Sequence, residues 1–512
     1  MSRTIIAKGQ PMIRAFAFAI CILVALTAPV CAEASKPNIV YILADDLGYG
    51  DVQSLNPQRG KIKTPHLDRL ASQGMIFTDA HSGSSVCTPT RYGLLTGRYA
   101  WRSRLQNGVL DGGSDEPLIA ADRLTVPGLL GQHGYVTACI GKWHLGFIVE
   151  PPASAENAKA KRPKGGGAPV GSAIVGGPVT RGFDSFFGCS NARTMSALIE
   201  NDKVIEQIEP VTMLPRLADR AVNYIAQRAA TENAGKPFFL YLPLTSPHTP
   251  IVPSAEWKGT SGLGDYGDFV MQTDAVVGQV LAALDMHDLA KNTIVIFSAD
   301  NGCSPQAGMA KLEAAGHFPS AQFRGHKADI WEGGHRVPFL VRWPGRVKAG
   351  ATSDQLICHT DLMATCAEIL GVAIPENAGP DSVSILPALL GKATQPLREA
   401  IVHHSIEGEF SIRQGKWKLA LCPGSGGWGK PGDADAMKLG LPVVQLYDMS
   451  TDIAETKNLQ AQHPDVVAQL TQLLKKYVDQ GRSSPGKKQA NDVRVEIVKA
   501  HIQKKDKQGT DQ

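Results

Sequence analysis

"PNIVYILADD", residues 37–46, decides the fold. Six residues from Ile39 to Ala44 run without a polar interruption, and two carboxylates follow at once. Alternating polarity would mark a strand with one wet face. A short continuous apolar run instead fits a strand covered on both faces, the habit of parallel sheets. Three more segments repeat the theme: "YVTACIGKWHLG" (135–146), "PFFLYLPLTSPHTP" (237–250) and "NTIVIFSADNG" (292–302). Helical patterns lie between them: "HLDRLASQG" (66–74) and "LTVPGLLGQHG" (124–134) each close on glycine, and "YGDFVMQTDAVVGQVLAALDMHD" (266–288) carries apolar residues at helical spacing. The alternation predicts an α/β fold with a large doubly wound, mixed and mostly parallel sheet flanked by helices.

In such sheets ligands gather outside the carboxyl ends of the strands. Asp45 and Asp46 follow the first run, Lys142 and His144 the second, His248 the third, and Asp300 and Asn301 the fourth. A single Asp-Asp or Asp-Asn pair is as readily a turn or a helix cap. Two such pairs at two strand ends make a hard-oxygen cage, suited to Ca2+, or less well Mg2+, rather than to zinc.

"SSVCTPTRYGLLTGR" (84–98) sets a cysteine in a polar frame, ahead of a short apolar run that ends in glycine. With Thr88 as N-cap, Pro89 at the first helical position and Gly97 past the end, Cys87 falls at a helix N-terminus, which favours anions. Packing, a disulfide, metal ligation and a thiolate nucleophile are all open for a lone cysteine, although the polar frame Ser84, Ser85, Thr88, Thr90 and Arg91 argues against an apolar burial site.

The chain of 512 residues is 43% hydrophobic with a formal charge of +4, ample for a core and without the charge of a nucleic-acid groove. Arg3, Lys8 and Arg14 precede "AFAFAICILVALTAPV" (15–30), with small residues at a cleavage site after Ala32 or Ala34. This reads as a signal peptide over 1–32, too short for a comfortable membrane span, and predicts an exported, periplasmic or secreted protein without stable membrane insertion. Val30 fits a lipid-anchor site at Cys31 poorly. Seven cysteines remain after the leader. That is too few for a disulfide scaffold, and the odd number requires at least one unpaired or modified.

"CTPTRYGLLTGR" (87–98) resembles the signature of the formylglycine-dependent sulfatases, arylsulfatase-like members of the alkaline phosphatase superfamily, with Thr90 where serine is usual. Further motifs of that family occur in order: "PNIVYILADDLGYGD" (37–51), "GKWHLG" (141–146), "SPHTP" (246–250), "FSADNG" (297–302), "RGHKADIWEGGHRVPFLVRWPG" (324–345), "IRQGKWKL" (412–419) and "LYDMSTDIAE" (446–455). The resemblance implies that a formylglycine-generating or sulfatase-maturating enzyme oxidises Cys87 to an aldehyde. It implies one Ca2+ per chain on Asp45, Asp46, Asp300, Asn301 and modified Cys87. It also implies that Arg91 and Lys142 hold the aldehyde hydrate, His144 is its base partner, and His248 with Lys327 serves the leaving-group side. The reaction implied is hydrolysis of a sulfate ester, from a sulfated carbohydrate or an aryl sulfate, through a covalent sulfo-enzyme. The alternatives are a phosphate or phosphonate monoester hydrolase of the superfamily, and a catalytically silent glycan-binding protein if Cys87 stays a thiol.

The catalytic α/β domain is expected over 33–384. A smaller antiparallel sheet with a helix is expected over 385–482, from "AIVHHS" (400–405), "FSIRQGKWKLAL" (410–421), "VVQLYDMS" (443–450) and "HPDVVAQLTQLLKKYVDQ" (463–480). The segment "KAKRPKGGGAPVGSAIVGGP" (159–178) is expected as a mobile loop at the pocket rim. A second insertion, "LCPGSGGWGKPGDADAMKLG" (421–440), carries Trp428, able to stack on a sugar or to anchor the loop. The polar tail 483–512 is expected to be poorly ordered.

Overall fold

The four apolar runs and a fifth strand lie side by side in the order Thr293–Ala299, Asn38–Ala44, Phe238–Pro243, Val136–Lys142 and Ser185–Cys189, all parallel. This computed structural model describes residues 36–152, 167–230, 235–500 and 502, with residues 1, 2, 4–7 and 9. The leader expected over 1–32, save those few, and residues 153–166 of the glycine-rich segment lie outside the described residues. Residues 167–178 of that segment are described, and Ala173–Val175 pairs as a strand with Ile148–Glu150.

Every residue of Asn38–Ala44 is buried, because both faces of the strand are covered. Ile39, Tyr41 and Leu43 pack with Leu94 and Leu129, while Val40 and Ile42 pack on the other side with Leu67, Leu217 and Val277. Successive side chains point to opposite faces, so a continuous apolar run feeds two cores at once. The helices Cys87–Thr96, Val126–Gln132 and Leu362–Leu370 contribute to the first core, and Pro65–Gln73, Met213–Ala229 and Gly264–Met286 to the second.

Seven further strands extend the parallel centre to twelve, paired antiparallel except that Ala351–Ser353 lies parallel to Met75–Phe77. Phe339–Arg342 pairs with Thr293–Ala299 and leads outward to Met75–Phe77 and Ala351–Ser353. On the other flank Ala197–Glu200 pairs with Ser185–Cys189 and leads to Lys203–Gln207, Ala173–Val175 and Ile148–Glu150. The sheet is thus mixed and doubly wound, parallel where the site is built.

A second sheet of four antiparallel strands runs Ile401–His404, Phe410–Gln414, Trp417–Ala420 and Gln445–Asp448. The helix Pro464–Gln480 covers it, packing Leu470, Leu474 and Tyr477 on Ile401, Ile412 and Leu419. From Lys36 onward the chain forms a single compact unit, so this sheet is not a body of its own.

The tail departs from expectation between 483 and 500. Asp492 pairs with Arg98 at 2.9 Å, Asn491 accepts from Arg102 at 2.9 Å, Ser483 donates to Asp381 at 2.8 Å, and Ile497 is buried. Its polarity serves buried arginines, which composition cannot distinguish from polarity facing water. Among the described residues no helix is long and apolar enough to cross a membrane, and the seven described cysteines are buried free thiols.

Candidate active site

The helix Cys87–Thr96 begins two residues earlier than Thr88 as a cap would allow: Val86 is the N-cap, and its side chain makes no capping bond. The Thr88 hydroxyl is engaged elsewhere, accepting from Leu110 N at 3.2 Å. Gly97, at φ 61°, ends the helix in the left-handed conformation that its lack of a Cβ permits. Cys87 is therefore in the first turn, fully enclosed, with Sγ 3.6 Å from Asp45 Oδ1. Burial pushes its thiol up to about 12, with Asp300 adding to the effect, so as a cysteine it is a poor thiolate.

Around it the acidic strand ends meet three cations. Arg91, on the same helix, donates from Nε and Nη2 to Asp300 Oδ2 at 3.2 and 2.7 Å, and its Nη2 stands 3.6 Å from Asp45. Its Nη1 donates to the carbonyl of Lys142 at 3.1 Å. Lys142 Nζ donates to Asp45 Oδ2 at 2.7 Å, and Lys327 Nζ lies 2.6 Å from Asp46 Oδ1. Burial works to raise the Asp45 carboxyl, but Lys142, His248, Arg91 and Lys327 together hold it well below the carboxylate range. Asp300 is pushed up to about 6 by burial and by Asp45 across the cage, against the pull of Arg91. Burial opposes the charge of Lys327, yet Asp46 raises its pKa above the usual lysine value.

Asp46, Asp300 and Asn301 form the other wall. Asp300 Oδ1 accepts from Asp46 N at 3.2 Å, and Asn301 Nδ2 donates to Asp46 Oδ1 at 2.8 Å. Asn301 Oδ1 is buried and has no hydrogen-bond donor. An orphaned amide oxygen among three carboxylates fits a hard cation such as Ca2+.

The two histidines differ in which nitrogen is spoken for. His144 Nε2 donates to the carbonyl of Leu110 at 2.8 Å, leaving Nδ1 buried without a partner. Burial, then Lys142 and Arg91, keep this ring well below the ordinary histidine pKa, hence neutral. His248 Nδ1 donates to the carbonyl of Thr249, and its Nε2 lies 3.6 Å from Asp46 Oδ2. Burial lowers its pKa too, with Asp46 working the other way. Asp46 and His144 take positive φ of 65° and 54°, a conformation unusual for residues with side chains and one that clusters at functional sites.

A layer behind the site escaped the sequence reading. Tyr266 OH donates to Asp51 Oδ2 at 2.5 Å and lies 3.5 Å from the Asp46 carbonyl, while His317 Nε2 meets Asp51 Oδ1 at 2.7 Å. Asp51 stood in the stretch 37–51, but nothing marked its partners.

Known proteins are similar to this chain along most of its length. The sulfatase family profile matches residues 37–372, and that of the N-sulphoglucosamine sulphohydrolase C-terminal region matches 326–420. An N-acetylgalactosamine-6-O-sulfatase of Bacteroides thetaiotaomicron is 33% identical over 505 residues, spanning 86% of this chain and 93% of the relative. Human arylsulfatase A is 33% identical over 486 residues, spanning 89% of each. A solved Bacteroides thetaiotaomicron structure, described with the metabolism of multiple glycosaminoglycans, superposes with a TM-score of 0.74 at 32% identity, over 86% of this chain and 99% of that one. The chain belongs to the sulfatase family, the sulfuric ester hydrolases of the alkaline phosphatase superfamily.

Proposed function

We propose that this protein, exported through its leader, releases inorganic sulfate from glycosaminoglycan-type saccharides, using formylglycine made from Cys87 by a maturating enzyme and one Ca2+ held by Asp45, Asp46, Asp300, Asn301 and the modified side chain. The observation that carries the reading is the enclosure of Cys87 with Asp45, Asp46 and His248, whose ligand atoms lie within 4.8 Å of one another, beside the orphaned Asn301 Oδ1. The saccharide class is supported by the N-acetylgalactosamine-6-O-sulfatase among the relatives.

Once formed from Cys87, the aldehyde hydrate would supply a hydroxyl nucleophile and a second hydroxyl whose proton can be removed, and a cation held by Asp45, Asp46, Asp300 and Asn301 would lower the hydroxyl pKa and offset negative charge. The protein's own groups divide the remaining work. Arg91 and Lys142 orient the anionic centre through fixed, buried donors, at no cost of reorganisation during reaction. Lys327 balances charge that builds on the leaving-group side. His248, with Nδ1 committed to the Thr249 carbonyl, has Nε2 available to hold a proton for the departing alcohol oxygen. His144, neutral with Nδ1 unpartnered, is the group able to take the proton of the second hydroxyl. Three carboxylates against three cations balance, so a dication would leave the positive surplus that an anionic ester needs.

Mass spectrometry of the Cys87 peptide, from protein made in an export-competent host with a maturating enzyme, is expected to show aldehyde in place of thiol. Sulfate release is expected from N-acetylgalactosamine 6-sulfate oligosaccharides, with aryl phosphate turned over far more slowly than aryl sulfate. A pure thiol in active protein, or faster phosphate turnover, would defeat the proposal.

A further inference from the structure

Trp428 is the only aromatic among the large exposed apolar side chains of the described residues, at 40% exposure. It belongs to none of the apolar clusters that hold Trp101, Trp143, Trp331 and Trp343. Its backbone is nevertheless fixed. The amides of Gly429 and His326 donate to the Asp329 carboxylate at 2.7 and 3.1 Å, and Ser425 bridges the turn by donating to Gly429 O at 2.9 Å while accepting from Gly427 N at 3.1 Å. The flanking glycines permit the close seat: a Cβ at 427 would stand 2.3 Å from the Ala328 carbonyl oxygen, and one at 429 would stand 2.4 Å from Asp329 Oδ2. Ala328 and Asp329 directly follow Lys327, so an exposed indole is mounted on the same strap that brings Lys327 to Asp46.

The strap continues around the site through backbone bonds. Ala328 N donates to Ser85 O at 2.9 Å, Ile406 N to Ala328 O at 3.0 Å, and Gly108 N to Ile406 O at 2.7 Å. Two residues beyond Gly108, the Leu110 carbonyl holds His144. Between them Val109 is exposed at 37%. Exposed apolar side chains thus stand on the Lys327 side and on the His144 side of one hydrogen-bonded rim.

We infer that this rim is a saccharide subsite, with Trp428 as the platform on which a pyranose ring of the substrate stacks; the inference rests on the saccharide-sulfatase reading above. An indole offers a flat apolar face to the C–H face of a sugar while the hydroxyls stay in water, and a rigid aromatic loses little entropy on binding. On a turn pinned by Asp329, that loss is smaller still.

The test compares the fully matured wild type with Trp428→Ala and Trp428→Phe on an N-acetylgalactosamine 6-sulfate oligosaccharide and on nitrophenyl sulfate. Trp428→Ala is expected to lower kcat/KM for the oligosaccharide by about tenfold, mainly through KM, with nitrophenyl sulfate turnover within about twofold of wild type. Trp428→Phe is expected to restore most of the oligosaccharide activity. Unchanged oligosaccharide kinetics in Trp428→Ala would overturn the subsite, and so would equal losses on both substrates, which would mean that the residue acts through Lys327. A wild type that turns over nitrophenyl sulfate but no saccharide sulfate would instead remove the saccharide reading and the subsite with it.

Discussion

At Asn301 the side-chain amide is divided: Nδ2 donates to Asp46 and to the Gly302 carbonyl, while Oδ1 keeps its lone pairs in a buried space without a donor. A divalent cation would satisfy that oxygen, and a mutation that removes it leaves the carboxylates to bind alone. Asn301→Ala is expected to weaken Ca2+ binding at least about tenfold, the scale of losses around metal sites. The shift in melting temperature across a Ca2+ titration of chelator-treated protein reads this; identical titrations in wild type and variant would exclude Asn301 as a ligand. Lys327→Ala removes a buried cation next to the reacting centre, and kcat/KM is expected to fall about 10²- to 10³-fold, as for other preorganised donors. Circular dichroism should show the fold retained. Asp45, Asp46, Asp300 and Asn301 were legible in the sequence because a polar pair ending an apolar run has a defined place in a parallel sheet. The Asp51, Tyr266 and His317 layer was not, since its contacts join residues 215 and 266 positions apart, and no local pattern encodes a partner at that distance.

Among the elements, strand and helix positions followed from periodicity, but their terminations depended on tertiary partners. Gly141 in "GKWHLG" looks like any turn glycine in sequence, yet it lies inside Val136–Lys142 with φ 138°, where a Cβ would come within 1.9 Å of the Pro243 carbonyl oxygen. The strand that delivers Lys142 packs against its neighbour only because that Cβ is missing. Helix caps show the same dependence. Thr64 looks like the cap of Pro65–Gln73, but its side chain makes no capping bond. Asp274, from the long helix Gly264–Met286, does the work instead, accepting from His66 N at 3.1 Å and Leu67 N at 2.8 Å. Pro65 has no N–H to satisfy, so two of the three orphan amides of one helix are satisfied by the middle of another. Asp274→Ala is expected to destabilise the protein by about 1–2 kcal/mol, the range of a lost N-cap. Denaturant unfolding measures it, and activity below the transition should be unchanged, because the amides that Asp274 caps, those of His66 and Leu67, do not belong to the site. A loss of activity without loss of stability would contradict a purely capping role.

On the scale of the whole molecule, the four-stranded sheet is seated on the large one through buried charge. Asp79 is the hub: Arg336 lies 2.6 Å away, Arg413 of the strand Phe410–Gln414 lies 2.8 Å away, and His81 Nε2 lies 2.8 Å away. Beside it Lys418, from Trp417–Ala420, lies 3.0 Å from Glu332 and 2.7 Å from Glu455. Burial alone would raise the Asp79 carboxyl, but Arg336, the His81 hydrogen bond and Arg413 outweigh it and hold the pKa at about 2. The sign follows from linkage. An unfolded aspartate titrates near ~3.9, so the folded protein binds this proton more weakly, and the stabilisation is complete above about pH 4. It is lost as pH falls through about 2. A difference of about two pKa units corresponds to roughly 2–3 kcal/mol. Asp79→Asn removes the charge at every pH, so its deficit against wild type should be largest at pH 6 and should narrow by about that amount as pH falls from 4 towards 2. Urea unfolding of both proteins across this range measures the gap. A gap that stayed constant would place the stabilisation in the shape of the Asp79 side chain, not in its charge, and would leave Lys418 with Glu332 and Glu455 as the charged joint between the sheets.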